Sequence, residues 1–218
     1  MIRESQNLTR GNFDSVGPDD LALLFDKYDE LFFNGNLKRE FESRISFKLS
    51  KRMTRNGGKC SYYYGTKKYS ITIAIVLIFA TFRDKHREIL VNGIKCRDRL
   101  EAMMRIFEHE LIHLIEHSIY GKSSCSANRF KELSYRIFGH TGVTHRLVTI
   151  DELARNNLGL HVGSKVSFNL ENRKLKGIIY RITKRATVMV KDKKGEYSNK
   201  NGNCYSKYYV PLQNLERR

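Results

Sequence analysis

The stretch Ile106–His117, "IFEHELIHLIEH", constrains this chain more than any other, because it sets three histidines and three glutamates among apolar residues. Around it, Leu100, Met103, Met104, Phe107, Leu111, Leu114 and Ile115 recur every three or four positions and define one apolar face of a helix. Asp98 fits the N-cap, with Glu101 three residues on as its capping-box partner, and Gly121 fits the stop. On such a helix His109 and His113 are four apart and project from the same side, so both imidazoles can reach one zinc ion (Zn2+). Glu110, next to the first of them, stands where this pattern places a general base that takes a proton from water. His117 would sit roughly 12 Å along the axis from His109, at about 1.5 Å per residue, too far to share their ion.

Upstream, the sequence reads as helix and then strands. "GPDDLALLFDKYDELFFNG" predicts a helix over Pro18–Phe33, with proline at its start, Asp19 and Asp20 in its first turn and Gly35 after its end. Leu21, Leu24, Tyr28 and Leu31 form its apolar stripe. In "FESRISFKLS", Ile45, Phe47 and Leu49 alternate with polar residues, as in a half-exposed strand. "RMTRNGGKC" reads as a turn. A second strand is expected over Ser61–Tyr64 and a third from Tyr69 through Ile71, Ile73 and Ile75. Val76–Phe82 fits either a strand end or a short buried helix. Downstream, Asn128–Phe138 predicts a helix burying Phe130, Leu133 and Ile137, closed by Gly139.

The 218 residues carry 40 Lys and Arg against 23 Asp and Glu, a formal charge of +17. An excess of that size predicts attraction to a polyanion, with DNA the first candidate and an anionic membrane surface the second. The longest apolar run, Ile71–Phe82, is too short to span a bilayer, so no membrane insertion is expected. Cysteines 60, 96, 125 and 204 form no Cys-x-x-Cys pair and no signal peptide precedes them, which points to a reduced cytoplasmic setting, at the nucleoid in a bacterium or in the nucleus of a eukaryote.

The order "YDELFFNGNL", "SRISFKLS", "GGKC", "ITIAIVLI", "EHELIHL" and "RFKELSYRIFGHTG", spanning Leu21–His145, resembles the SprT-like (Spartan-type) zinc metalloprotease family. The resemblance implies an α+β zincin-like domain, an antiparallel or mixed sheet packed with helices, one zinc ion, and endopeptidase action on proteins bound at DNA. It also implies a third histidine in a His-Gly-x-x-Phe pattern just before the next helix. Here the matching stretch is "SANRF", with Ser126 at the histidine position. A neutral serine is a poor zinc ligand, whereas Cys125 offers a thiolate one residue earlier, and mixed Cys and His sets suit zinc. Glu132, His140 and His145 are the other candidates. The departure leaves two readings. One is a zinc endopeptidase with Glu110 as base; the other is a nucleic-acid-binding protein whose zinc site is structural or vestigial and has no protease activity.

Past Leu160 the character changes. "GSKVSFNL", "LKGIIYRIT", "RATVMVKDK" and "YYVPLQNL" are short strands separated by turns, and residues 160–218 hold 14 Lys and Arg against 4 Asp and Glu. The join is placed between an SprT-like domain, 1–157, and a basic all-β module, 158–218. The pattern resembles the SH3-like barrel that trails some SprT-like proteins. Arg173, Lys174, Lys176, Arg181, Lys184 and Arg185 gather around one hairpin and are the candidate contacts to DNA phosphates, with no base preference expected. Tyr205, Tyr208 and Tyr209 are expected inside, because a barrel this small needs its aromatics for a core.

Overall fold

The computed structural model describes residues 5, 7–82, 87–183 and 185–218. They divide into two compact units, 1–147 and 148–218, against the 157/158 join read from the sequence.

The first unit begins with α1 (Pro18–Tyr28), which runs into a π-helical turn, Asp29–Phe33. The wider turn shifts the helical register by one residue. Leu21, Leu24, Phe25 and Tyr28, ahead of that turn, are buried, while Leu31 within it, expected on the same stripe, is 54% exposed. After the left-handed Asn34 and Gly35 comes α2 (Asn36–Phe41). Strands β1 (Ile45–Leu49), β2 (Gly58–Tyr63) and β3 (Lys68–Ile73) form a mixed sheet in the order β1-β3-β2, with β1 parallel and β2 antiparallel to β3. β2 starts at Gly58, earlier than the alternation suggested, and is an edge strand. The ambiguous apolar run resolves as helix α3 (Ile75–Thr81), so Ile75 opens a helix rather than closing β3. A short hairpin follows, β4 (Ile89–Val91) and β5 (Ile94–Cys96).

Helix α4 (Arg99–Tyr120) is the spine of this unit. The Asp98 side chain accepts from the Glu101 amide at 2.9 Å, and Gly121 takes the left-handed C-terminal position. Met103, Ile106, Phe107, Leu111 and Leu114 are wholly buried, and α4 packs across β2 and β3. Tyr28 stacks on Phe107 and meets Phe138 edge-on, tying α1 to α4 and to the end of α5 (Asn128–Phe138).

The second unit starts with α6 (Ile150–Leu158), absent from the sequence reading although Thr149 caps it by accepting from the Glu152 amide at 3.2 Å. Strands β6 (Lys165–Leu170), β7 (Arg173–Ile182), β8 (Arg185–Lys191), β9 (Tyr197–Ser198), β10 (Cys204–Pro211) and β11 (Glu216–Arg217) follow. They form one antiparallel sheet in the order β11-β6-β7-β8-β10-β9. This overturns the expected SH3-like barrel: among the described residues no sheet closes on itself. Two-residue strands stand at both edges, too short to zip the sheet shut. The core lies on one side instead, where Ala154 and Ile150 of α6 pack against Phe168, Ile179, Val188 and Val210.

Candidate metal centre

His109 and His113 come from successive turns of α4, and Cys125 comes from the loop between α4 and α5. One ligand atom from each can be chosen so that all lie within 4.8 Å of one another. Helical spacing explains the two histidines. The cysteine needs its loop held in place, and Glu116 does this. Its buried carboxylate accepts from the Ser123 hydroxyl, from the Ser124 amide at 3.1 Å and from Arg129 Nε at 2.8 Å. Burial alone would raise the Glu116 carboxyl; these hydrogen bonds hold it below its ordinary value.

The ring tautomers follow from the same contacts. Ser123 gives its own proton to Glu116, so its oxygen accepts from His113 Nδ1–H across 2.7 Å. Asn92 donates Nδ2–H to the Arg105 carbonyl at 2.6 Å, which fixes its amide and turns Oδ1 to accept from His109 Nδ1–H at 3.1 Å. Both histidines are thereby left with Nε2 as a free lone pair for a metal. Burial pushes His109 down to about 2 and lowers His113 as well, keeping both rings neutral as ligands must be. Two imidazoles, a thiol and tautomers set for coordination fit a zinc ion.

Glu110 is buried against β2. A Cβ on Gly58 would fall 2.5 Å from Glu110 Oε1, so only glycine lets this strand run so close to the carboxylate. Burial raises the Glu110 carboxyl to about 8, opposed by a hydrogen bond from the Cys60 amide. A cleft of about 600 Å³ opens over these residues, bordered by Arg55, Lys59, Tyr62, Tyr69, His117 and His145 as well as by the cluster itself.

A model of the SprT-like family matches residues 21–148, more than half of the chain. The chain belongs to the SprT-like family. No curated protein and no solved structure matches it.

Within this SprT-like unit the remaining candidates separate. His140 is buried with Nε2 bonded to Glu108 Oε2 at 2.7 Å, a structural contact rather than a ligand. Glu132 is exposed on α5 and outside the cluster. His145 lines the cleft with its ring 4.8 Å from that of His109, and its Nε2 is buried without a partner. Ser126 is exposed and bonds only Ser124 Oγ among the described contacts, at 2.8 Å. His117 faces Tyr69, whose hydroxyl lies 2.9 Å from its Nδ1.

The sequence reading missed Asn92 and the hairpin that carries it. The signal was present: Asn92-Gly93 between "ILV" and "IKC" is the dipeptide of a two-residue hairpin turn, and both residues have positive φ. In the second unit Arg173, Lys174, Lys176, Arg181 and Arg185 are all exposed on β7 and β8, while Lys184 lies outside the described residues. No helix among the described residues is long and apolar enough to cross a membrane.

Proposed function

We propose that this protein binds one zinc ion through His109, His113 and Cys125, and DNA through its basic C-terminal unit. The donor set and its fixed tautomers support the first statement. The 14 Lys and Arg within residues 160–218 support the second.

The finer reading is a zinc-dependent endopeptidase acting on DNA-associated proteins. The observation that carries it is the open cleft over a three-residue donor set, because structural zinc sites are closed by four protein ligands whereas catalytic ones keep a position free. Zinc bound there supplies Lewis acidity to a carbonyl oxygen and lowers the pKa of water. Glu110 faces the same cleft and serves as the base that takes a proton from the attacking water and returns it to the leaving nitrogen. Its raised pKa matches that task, and a nearby cation draws it down toward neutrality. His145 and Tyr62 line the cleft and can donate to the oxyanion, whereas His140 is outside its lining and bonded to Glu108.

A second reading has its own support. Cys125 puts an anionic donor where the family resemblance implies a neutral histidine, and a thiolate quenches more of the metal's charge. That favours a zinc site that orders the α4–α5 loop without cutting peptide bonds.

Purified wild type and Glu110→Gln protein, assayed for zinc content and for cleavage of a DNA-bound protein, separate the readings. Equal zinc in both, with cleavage only by wild type, supports the peptidase. Equal zinc with no cleavage by either supports the non-catalytic site. A folded wild type without zinc removes both.

A further inference from the structure

The core of the C-terminal unit occupies one face of its sheet, and alternation along each strand sends the intervening side chains to the other. Cross-strand register then assembles that second face row by row. Lys165, Ile178, Met189 and Lys207 lie side by side, and Arg181, Thr187 and Tyr209 form the neighbouring row. The β7–β8 register shifts between Ile179 and Arg181, leaving Tyr180 as the extra residue of a bulge. Bulges re-aim side chains, and Tyr180 is 66% exposed; Tyr209, two strands away, is 65% exposed. A third tyrosine, Tyr197 of β9, packs its ring 3.7 Å from Lys207 Nζ. Tyr197, Lys207 and Tyr209 line a shallow groove of about 370 Å³ together with Lys194. The expectation of a place inside a barrel is therefore overturned for Tyr209, whereas Tyr208 beside it packs against the core.

We propose that this face binds single-stranded DNA, with unpaired bases stacking on Tyr180 and Tyr209 and phosphates met by Lys176, Arg181 and Lys207. The proposal rests on the reading that the C-terminal unit binds DNA, and it names the form of DNA. Exposed aromatic rings interleaved with cations gain from ligands that offer both a base face and a phosphate, as an unpaired strand does. A duplex hides its base faces in the stack and offers mainly phosphates, so the tyrosines gain little from it. Helix α6 packs on the opposite, core side of the sheet, so the tyrosine-bearing face offers no helix to a major groove.

The test uses the full chain, with fluorescence anisotropy on an oligothymidylate and on a blunt duplex of the same length at about 0.15 M salt. Wild type is expected to bind the single strand more tightly than the duplex. Tyr180→Ala combined with Tyr209→Ala weakens single-strand binding by about tenfold or more and leaves duplex binding within about twofold, while the paired Phe substitutions restore single-strand binding. Lys176→Gln with Arg181→Gln weakens both and flattens their salt dependence. A circular dichroism melt of each variant establishes that the sheet is intact. Tighter or equal duplex binding, or an unchanged single-strand affinity in the folded alanine variant, overturns the stacking proposal while leaving DNA binding in place. Failure of wild type to bind either oligonucleotide overturns the DNA-binding reading and this proposal together.

Discussion

Asn92 accepts a hydrogen bond from His109 across 3.1 Å, from the tip of a two-residue hairpin that reaches α4 from outside it. The same residue holds the loop after α5, since its carbonyl accepts from the Thr141 and Gly142 amides and its own amide donates to the Thr144 carbonyl. One wholly buried asparagine thus fixes a ligand's tautomer and the segment leading into His145. Asn92→Ala is expected to weaken zinc binding by about 10–100-fold, the usual cost of losing a partner behind a ligating histidine. Asn92→Asp keeps the acceptor for His109 but sets a carboxylate oxygen against the Arg105 carbonyl in a buried place, so it should fall between wild type and the alanine variant. Chelator competition ranks the three proteins; equal affinities would remove Asn92 from the site.

The Glu116–Ser123 contact does for His113 and Cys125 what Asn92 does for His109. Ser123→Ala removes the acceptor for His113 Nδ1–H and one of the donors that satisfy the buried carboxylate. Zinc affinity is expected to drop about 10–100-fold. Amide exchange over Ser123–Ser126 should also rise in the metal-free protein, because the loop loses its tie to α4. A variant with weaker zinc binding but unchanged exchange would mean that Ser123 acts on the ring alone.

Cys125 and Ser126 offer a sharper comparison. Cys125→Ala deletes a ligand atom of the cluster, whereas Ser126→Ala trims an exposed hydroxyl bonded to Ser124. Zinc content after dialysis should fall sharply in the first and stay near wild type in the second. Unchanged zinc in the cysteine variant would hand the third position to His145, the remaining histidine beside His109.

What could be read in advance follows from how local each signal is. The α4 face, its Asp98 cap and its Gly121 stop depend on residues within a few positions of each other, and they appear where periodicity and capping place them. So does the His109–His113 pair. Leu31 escaped because a π turn, invisible to a 3.6-residue count, rotates it outward. The open sheet escaped because closure depends on the lengths of edge strands far apart in sequence, and β9 and β11 are two residues each. Resemblance carried the barrel expectation where register decides the outcome. Tyr209 belongs to the same miss, since an open sheet leaves its side of β10 uncovered, and the outward aim of Tyr180 depends on a bulge that no local pattern announces.

Glu108 makes a stability prediction separate from the metal. Buried on α4, it accepts from Tyr28 Oη at 2.6 Å, from Arg105 Nη1 at 2.8 Å and pairs with His140 Nε2 at 2.7 Å. Burial, with the Glu108 charge beside it, drives the Tyr28 hydroxyl far above its ordinary pKa, so it acts only as a donor here. Glu108→Gln leaves the Arg105 charge without its partner at a site mostly shielded from water. The cost should be about 3 kcal/mol, at the low end for such losses because Arg105 keeps some solvent contact. Urea midpoints measure it. Zinc affinity should change little, as Glu108 touches no ligand of the cluster.

Glu110 gives a pH signature that needs no substrate. In the metal-free protein burial raises its carboxyl from an ordinary 4.5 to about 8. The folded chain therefore holds this proton across a window in which the unfolded chain has released it. Native protein binds more protons than unfolded protein there, so this group's contribution to stability is full below about 4.5 and is lost as pH rises through about 8. Other groups titrate in the same range, His109 and His145 with the opposite sign, since burial lowers both. The wild type must therefore be read against Glu110→Gln, which keeps the shape and cannot ionise. With metal removed, the glutamine variant is expected to gain stability relative to wild type steadily from pH 4.5 to 8. Adding zinc should shrink that difference, because a cation beside the carboxylate offsets the penalty of ionising it in a buried place. Urea midpoints at half-unit steps, with and without zinc, test both parts. A difference that stays flat with pH would place Glu110 in contact with water and remove the buried base on which the peptidase reading depends.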